Sequence, residues 1–112
     1  MAFQTHDIWL VNFPFSDLST TKARPALVVS SAVYHQNEPD VVFAALTSNL
    51  AAAFNSTDYV LQDWHSAGLK VPTAFKPLLA TLAPTCAVFR IGRLRSVDAQ
   101  EVSKRLRLIL DL

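Results

Sequence analysis

Apolar residues along this chain come in short, mostly β-branched runs separated by polar breaks. The first run, Asp7-Ile-Trp-Leu-Val-Asn-Phe13, is apolar on both faces and predicts a strand covered on each side. Trp9 would anchor a core or an interface. Pro14 ends the run, since proline cannot donate to a strand ladder. A polar connection, 15–23, follows; loops this long and polar often bind or cover a ligand. The second strand is expected over Pro25–Ser31 and the third over Asp40–Leu46, with a turn at Tyr34–Pro39 between them. Thr47-Ser48-Asn49 sits at the end of the third strand.

The later half repeats the pattern in shorter pieces. An Ala-rich connector spans Leu50–Asn55, and a short strand is expected over Asp58–Gln62. Asp63 and Gly68 bracket one helical turn as N-cap and C′ residues. Val71–Lys76 reads as extended, with Pro77 closing it, and Val88–Leu94 as the last strand. The period then changes. Val102, Leu106, Ile109 and Leu110 fall on one face of a helix running from Ser96 to about Leu110. Ser96 is expected to cap it, and Asp98 and Glu101 suit its positive end. Many short strands followed by one amphipathic helix predict a mainly β fold: a small, partly open barrel with the helix packed on it.

Composition narrows this picture. With 112 residues, 51% hydrophobic and 17% charged, the chain predicts a single domain over residues 1–112 with its own core. No apolar run reaches the roughly 20 residues of a membrane span, and the first residues lack a signal-peptide pattern, so a cytoplasmic location and no membrane partner are expected. Cys86 is the only cysteine and fits a small core residue. His35 is expected to be exposed and idle. Net charge is +1 but uneven. Residues 1–56 hold two basic and four acidic side chains, and residues 57–112 hold eight and five. Arg90, Arg93 and Arg95 form a local basic patch, suited to RNA or an acidic partner but weaker than the signature of a duplex-DNA binder.

Chemistry concentrates at Lys22-Ala-Arg-Pro-Ala-Leu-Val-Val-Ser30. Pro25 fixes the backbone after Arg24 and biases Arg24 toward extended geometry. A planar, permanently charged guanidinium at the rim of a strand suits a phosphate or a carboxylate. There is no phosphate-binding Gly-rich loop, no dinucleotide fingerprint, no nucleophile elbow and no Cys/His metal spacing.

Taken together, Asp7–Ser19, Lys22–Ser30, Ala45-Leu-Thr-Ser-Asn49, Gly92-Arg-Leu94 and the terminal helix resemble the MazF/PemK family of type II toxin–antitoxin toxins. The resemblance implies an SH3-like barrel of the kind shared by CcdB and PemK, and a homodimer. It implies ribosome-independent cleavage of single-stranded RNA, such as mRNA, without metal or other cofactor. It also implies a cognate antitoxin that covers the RNA groove, with DNA met only through the antitoxin complex. The implied reaction is attack of a ribose 2′-hydroxyl on the adjacent phosphate, giving a 2′,3′-cyclic phosphate and a 5′-hydroxyl end. By resemblance Arg24 stabilises the phosphate, Thr47 and Ser48 orient it, and Lys76 supplies a further catalytic cation. Lys22, Thr73, Phe75 and Asp17 join Ser48 in contacting RNA.

Three positions depart from the family pattern. Lys76 and Leu78 stand where the PemK branch commonly carries Arg and Asp, which removes one candidate base. His6 stands at the family's usual Gly, where a turn is expected. The alternative is a catalytically weakened member that binds RNA or an antitoxin. Gyrase poisoning is disfavoured, because the chain ends Leu108-Ile-Leu-Asp-Leu112 rather than in Trp-Gly-Ile.

Overall fold

The computed structural model describes residues 2–13 and 23–112. Six strands form one antiparallel sheet: β1 (Asp7–Asn12), β2 (Ala23–Val28), β3 (Val41–Thr47), β4 (Tyr59–Val60), β5 (Ala74–Leu82) and β6 (Ala87–Arg93). Their spatial order is β4-β5-β3-β2-β1-β6. The helices are α1 (Ala32–Asn37) and α2 (Ser96–Leu110). The fold is mainly β with one C-terminal helix, as the alternation of short strands predicts.

Because successive strand residues point to opposite faces, the apolar runs feed two cores. Ile8, Leu27, Ala44 and Leu46 enter one with Phe75 and Val102; Trp9, Val11, Ala26, Val28 and Phe43 enter the other. Helix α2 covers the first core through Ala99, Val102, Leu106 and Ile109. Leu110, expected on that face, is instead half exposed. Cys86 packs against the edge of the second core.

The sheet is not closed by a ladder between β4 and β6. The turn region 61–70 covers the gap. Arg93 donates its N–H to the Ala67 carbonyl at 3.2 Å, and Leu94 donates to His6 at 3.0 Å. The chain's two glycines meet here. Gly68 has φ +98°, which a side chain rarely tolerates, and a Cβ on Gly92 would lie 1.9 Å from the Ala67 oxygen.

Several local expectations are corrected. Pro77 does not close a strand, because β5 runs through it. The register passes from Ala44–Leu79 to Ala45–Lys76, so Pro77 and Leu78 are accommodated in a bulge and no ladder N–H is demanded of the proline. The turn at Tyr34–Pro39 is largely the end of α1, capped by Ser31, whose Oγ accepts from Tyr34 N. The cap residue of α2 is Arg95, with Ser96 already inside the helix. His35 is half-buried rather than idle, with Nε2 2.6 Å from Ser30 Oγ, which also accepts from Val42 N.

Asp98 does more than complement the positive end of α2. It is fully buried and accepts from Tyr59 Oη at 2.6 Å and from the backbone N–H of Gln62 and Asp63 at 2.9 Å each. Burial, together with the bond to Asp98, pushes the Tyr59 phenol above its ordinary pKa. One carboxylate thus fastens the seam-covering turn to the helix. Asp98→Asn replaces an acceptor-only group with one that presents donors. It is expected to cost about 2 kcal/mol, read from urea unfolding.

His6 has φ +76°, held by its N–H to Val28 and its carbonyl to Leu94. Burial and the nearby Arg93 hold its imidazole below the usual pKa of 6.5, against the opposing pull of Asp7. The unfolded chain therefore binds the proton more readily. Stability from this residue is present above about pH 6.5 and declines as pH falls toward the lower folded value. His6→Gly is expected to add about 0.5–1 kcal/mol and to flatten that acid dependence, measured by urea unfolding at pH 5 and 8.

Candidate functional site

Arg24 lies in β2 opposite Val11 of β1. Ala26 pairs with Ala45 as the last rung of the β2–β3 ladder, and just beyond it Arg24 and Thr47 line the same two depressions. The end of this ladder thus brings an exposed arginine and the threonine that ends β3 to the same depressions. Thr47 Oγ1 also accepts from Asn49 N at 3.1 Å, which fixes the following turn. Among the described residues no carboxylate forms an ion pair with Arg24.

Two depressions meet at this pair. The larger, about 480 Å³, is lined by Arg24, Thr47 and Ser48 together with Lys70, Phe89 and Arg90. The smaller, about 290 Å³, is lined by Arg24, Thr47, Lys76 and Leu78, with Phe13 and Ala52. Arg24, Leu46 and Thr47 line both, and the polar pair Arg24 and Thr47 marks the ridge between them.

The other predicted residues divide. Lys76 reaches the smaller depression, but its ammonium is engaged. It forms an ion pair with Asp58 Oδ1 at 2.9 Å and donates to the Ala52 carbonyl at 2.9 Å. Burial opposes the charge on Asp58, yet Lys76 and the N–H of Asn55 outweigh it and hold the carboxyl below its ordinary range. Thr73 is buried on the wall of the larger depression, donating its hydroxyl to Val71. Phe75 is corrected: it is fully buried in the first core, so it has no ring face to offer a base. Asp17 and Lys22 lie outside the described residues. Leu78 is exposed in the smaller depression, so the position of the missing carboxylate does face this site.

Sequence reasoning missed Lys70 and Asp58 and did not place Arg90. Arg90 and Arg93 lie 3.4 and 3.1 Å from the buried Asp7 Oδ1, a pairing made by the β1–β6 ladder. Half of the Arg90 side chain stays exposed, so the ion pair braces it while leaving it available to the larger depression. Among the described residues there is no cluster of three or more His, Cys, Asp or Glu side chains. Among the described residues no helix is long and apolar enough to cross a membrane.

Residues 4–110 match the family described as PemK-like, MazF-like toxin of type II toxin–antitoxin system. The chain belongs to the PemK/MazF toxin family. Solved structures agree on the fold. An endoribonuclease from a mycobacterial species, in complex with its cognate antitoxin, superposes with a TM-score of 0.80 at 18% identity, covering 99% of this chain and 97% of that one. MazF of Deinococcus radiodurans gives 0.71 at 20% identity, covering 97% and 96%. The MazE–MazF structure from the same organism gives 0.72 at 20%, covering 98% and 96%. No curated protein matches the sequence.

Proposed function

We propose that this PemK/MazF toxin is an endoribonuclease that cleaves single-stranded RNA without metal or ribosome. The observation that carries the reading is Arg24: an exposed arginine, with no ion pair among the described residues, that lines two depressions together with Thr47. A phosphodiester seated on that ridge leaves room for one flanking nucleotide in each depression. The 2′-oxygen attacks phosphorus and loses its proton, the P–O5′ bond breaks, and the departing 5′-oxygen gains a proton. The products are a 2′,3′-cyclic phosphate and a 5′-hydroxyl end.

Charge builds on the non-bridging oxygens during that step. Arg24 offers a forked pair of donors to them, Thr47 and Ser48 orient them, and Lys76 adds a second cation. Arg24 stabilises charge rather than abstracting the proton, since a guanidinium stays ionised at any working pH. Lys70, Arg90 and the exposed Phe89 supply a basic and stacking wall for the flanking strand. The protein works as a cytoplasmic homodimer. A cognate antitoxin covers the groove; a mycobacterial endoribonuclease of the same fold forms a complex with its cognate antitoxin. DNA is met only through that complex.

Leu78 favours a second reading, a weakened member that holds RNA or antitoxin without cutting, because leucine cannot take a proton. One experiment separates them. The protein is incubated with mixed-sequence single-stranded RNA in EDTA and the new ends are mapped. Cleavage to 5′-hydroxyl ends above an Arg24→Ala control supports the nuclease; RNA retention without new ends supports the binding module.

A further inference from the structure

We infer that Asp58 is a positioning residue that clamps Lys76 toward the Arg24–Thr47 ridge. The inference rests on the reading of that ridge as a phosphate site. Asp58 lies just before β4, and Tyr59 pairs with Phe75, so the same antiparallel register brings Asp58 level with Lys76. Its side chain is 2% exposed. One carboxylate oxygen accepts from Asn55 N at 3.0 Å, and the other contacts Lys76 Nζ at 2.9 Å. The Ala52 carbonyl holds the ammonium from a second direction at 2.9 Å.

A free lysine head is a mobile point charge on a four-carbon stem. Here two acceptors on the 49–58 connection fix it, and the β5 bulge at Pro77-Leu78 begins at the next residue. An ammonium has three donors, so this geometry leaves capacity for one more acceptor in the depression that Lys76 shares with Arg24 and Thr47. Asp58 itself lines neither depression. Its carboxylate offsets part of the lysine charge and in exchange fixes where that charge sits. The fork lost on having lysine in place of arginine is thereby partly recovered by restraint.

Two arms test this. The first compares wild type, Asp58→Asn, Lys76→Met and the double variant in cleavage of a single-stranded oligoribonucleotide. Asp58→Asn is expected to lower kcat by about tenfold with KM changed less than about threefold, and to add no loss in the Lys76→Met background. Multiplicative losses in the double variant overturn the inference. So does a wild-type rate for Asp58→Asn. If Asp58→Asn does not fold, Asp58→Glu takes its place: it keeps the charge but displaces it by one methylene. It is expected to lower kcat by about threefold at an unchanged urea midpoint, and a wild-type rate for it counts against the inference. The second arm needs no nuclease activity. Folded protein is treated with limiting acetic anhydride, and labelling is read by mass spectrometry. Lys76 should label about tenfold more slowly than Lys70 in wild type and lose most of that protection in the Asp58 variant. Equal labelling of Lys76 with and without the Asp58 carboxylate overturns the clamp. Protection in a protein that cuts no RNA would retain the clamp and remove only the nuclease reading.

Discussion

Arg24→Ala is expected to slow RNA cleavage by about 10²–10³-fold, the usual effect of removing one preorganised donor from a developing oxyanion. The loss should fall on kcat more than on KM, because the guanidinium matters most when phosphorane charge is greatest. Stability should move by less than about 0.5 kcal/mol: the side chain is exposed, and no described carboxylate is left unpaired by its removal. Those two results together separate a chemical role from a structural one. Arg24→Lys keeps the charge but loses the two-pronged geometry, and should recover only part of the rate, leaving about a tenfold deficit. Single-turnover cleavage of a defined oligoribonucleotide, with urea unfolding of the same preparations, measures both. A variant lacking Arg24 that cuts at the wild-type rate would remove the basis for placing the phosphate on this ridge.

Local rules made the strands, the helix and a cation at a strand start legible, and the resemblance to a family supplied the roles of the site residues. Arg24-Pro25 before an apolar run placed a cation at a strand start, and the fold brings Thr47 to the same depressions. The helix Ser96–Leu110 was legible from its 3.6-residue period. Pairings between distant segments were not. Nothing local to Asp58 announces Lys76; only the antiparallel pairing of two short segments brings them level, and a cross-strand opposite-charge pair is the signal that could have found it. Asp98 obeyed the helix-dipole rule and so concealed its larger role as acceptor for three donors from the segment 59–63. Phe75 was misplaced for a related reason. Alternation alone says that Thr73 and Phe75 share a face, but not whether the face meets solvent or core, and the packing of α2 decided it. Pro77 misled because a proline breaks a regular ladder, whereas a bulge gives it a place where no N–H is needed.

The largest loss of stability is expected at a residue with no side chain. Gly92→Ala should lower the free energy of unfolding by about 3–5 kcal/mol, a large fraction of the roughly 5–15 kcal/mol that holds a domain together. The added methyl would stand 1.9 Å from the Ala67 carbonyl oxygen and 2.9 Å from its carbon. These are backbone atoms, so no rotamer change relieves the contact. Moving Ala67 away breaks its bond from Arg93 N and displaces Gly68, whose Cα lies 3.4 Å from the same added methyl. It also pulls on the turn that Asp98 ties to α2 through Gln62 and Asp63. The strain therefore reaches the seam, the helix and the wall of the larger depression, which includes Gly68 and Ile91. Urea unfolding gives the stability loss, and the protein that remains folded should bind single-stranded RNA more weakly than wild type. A Gly92→Ala variant of wild-type stability would mean that the turn region 61–70 does not sit against β6 in solution, and the larger depression would then lose the wall that defines it.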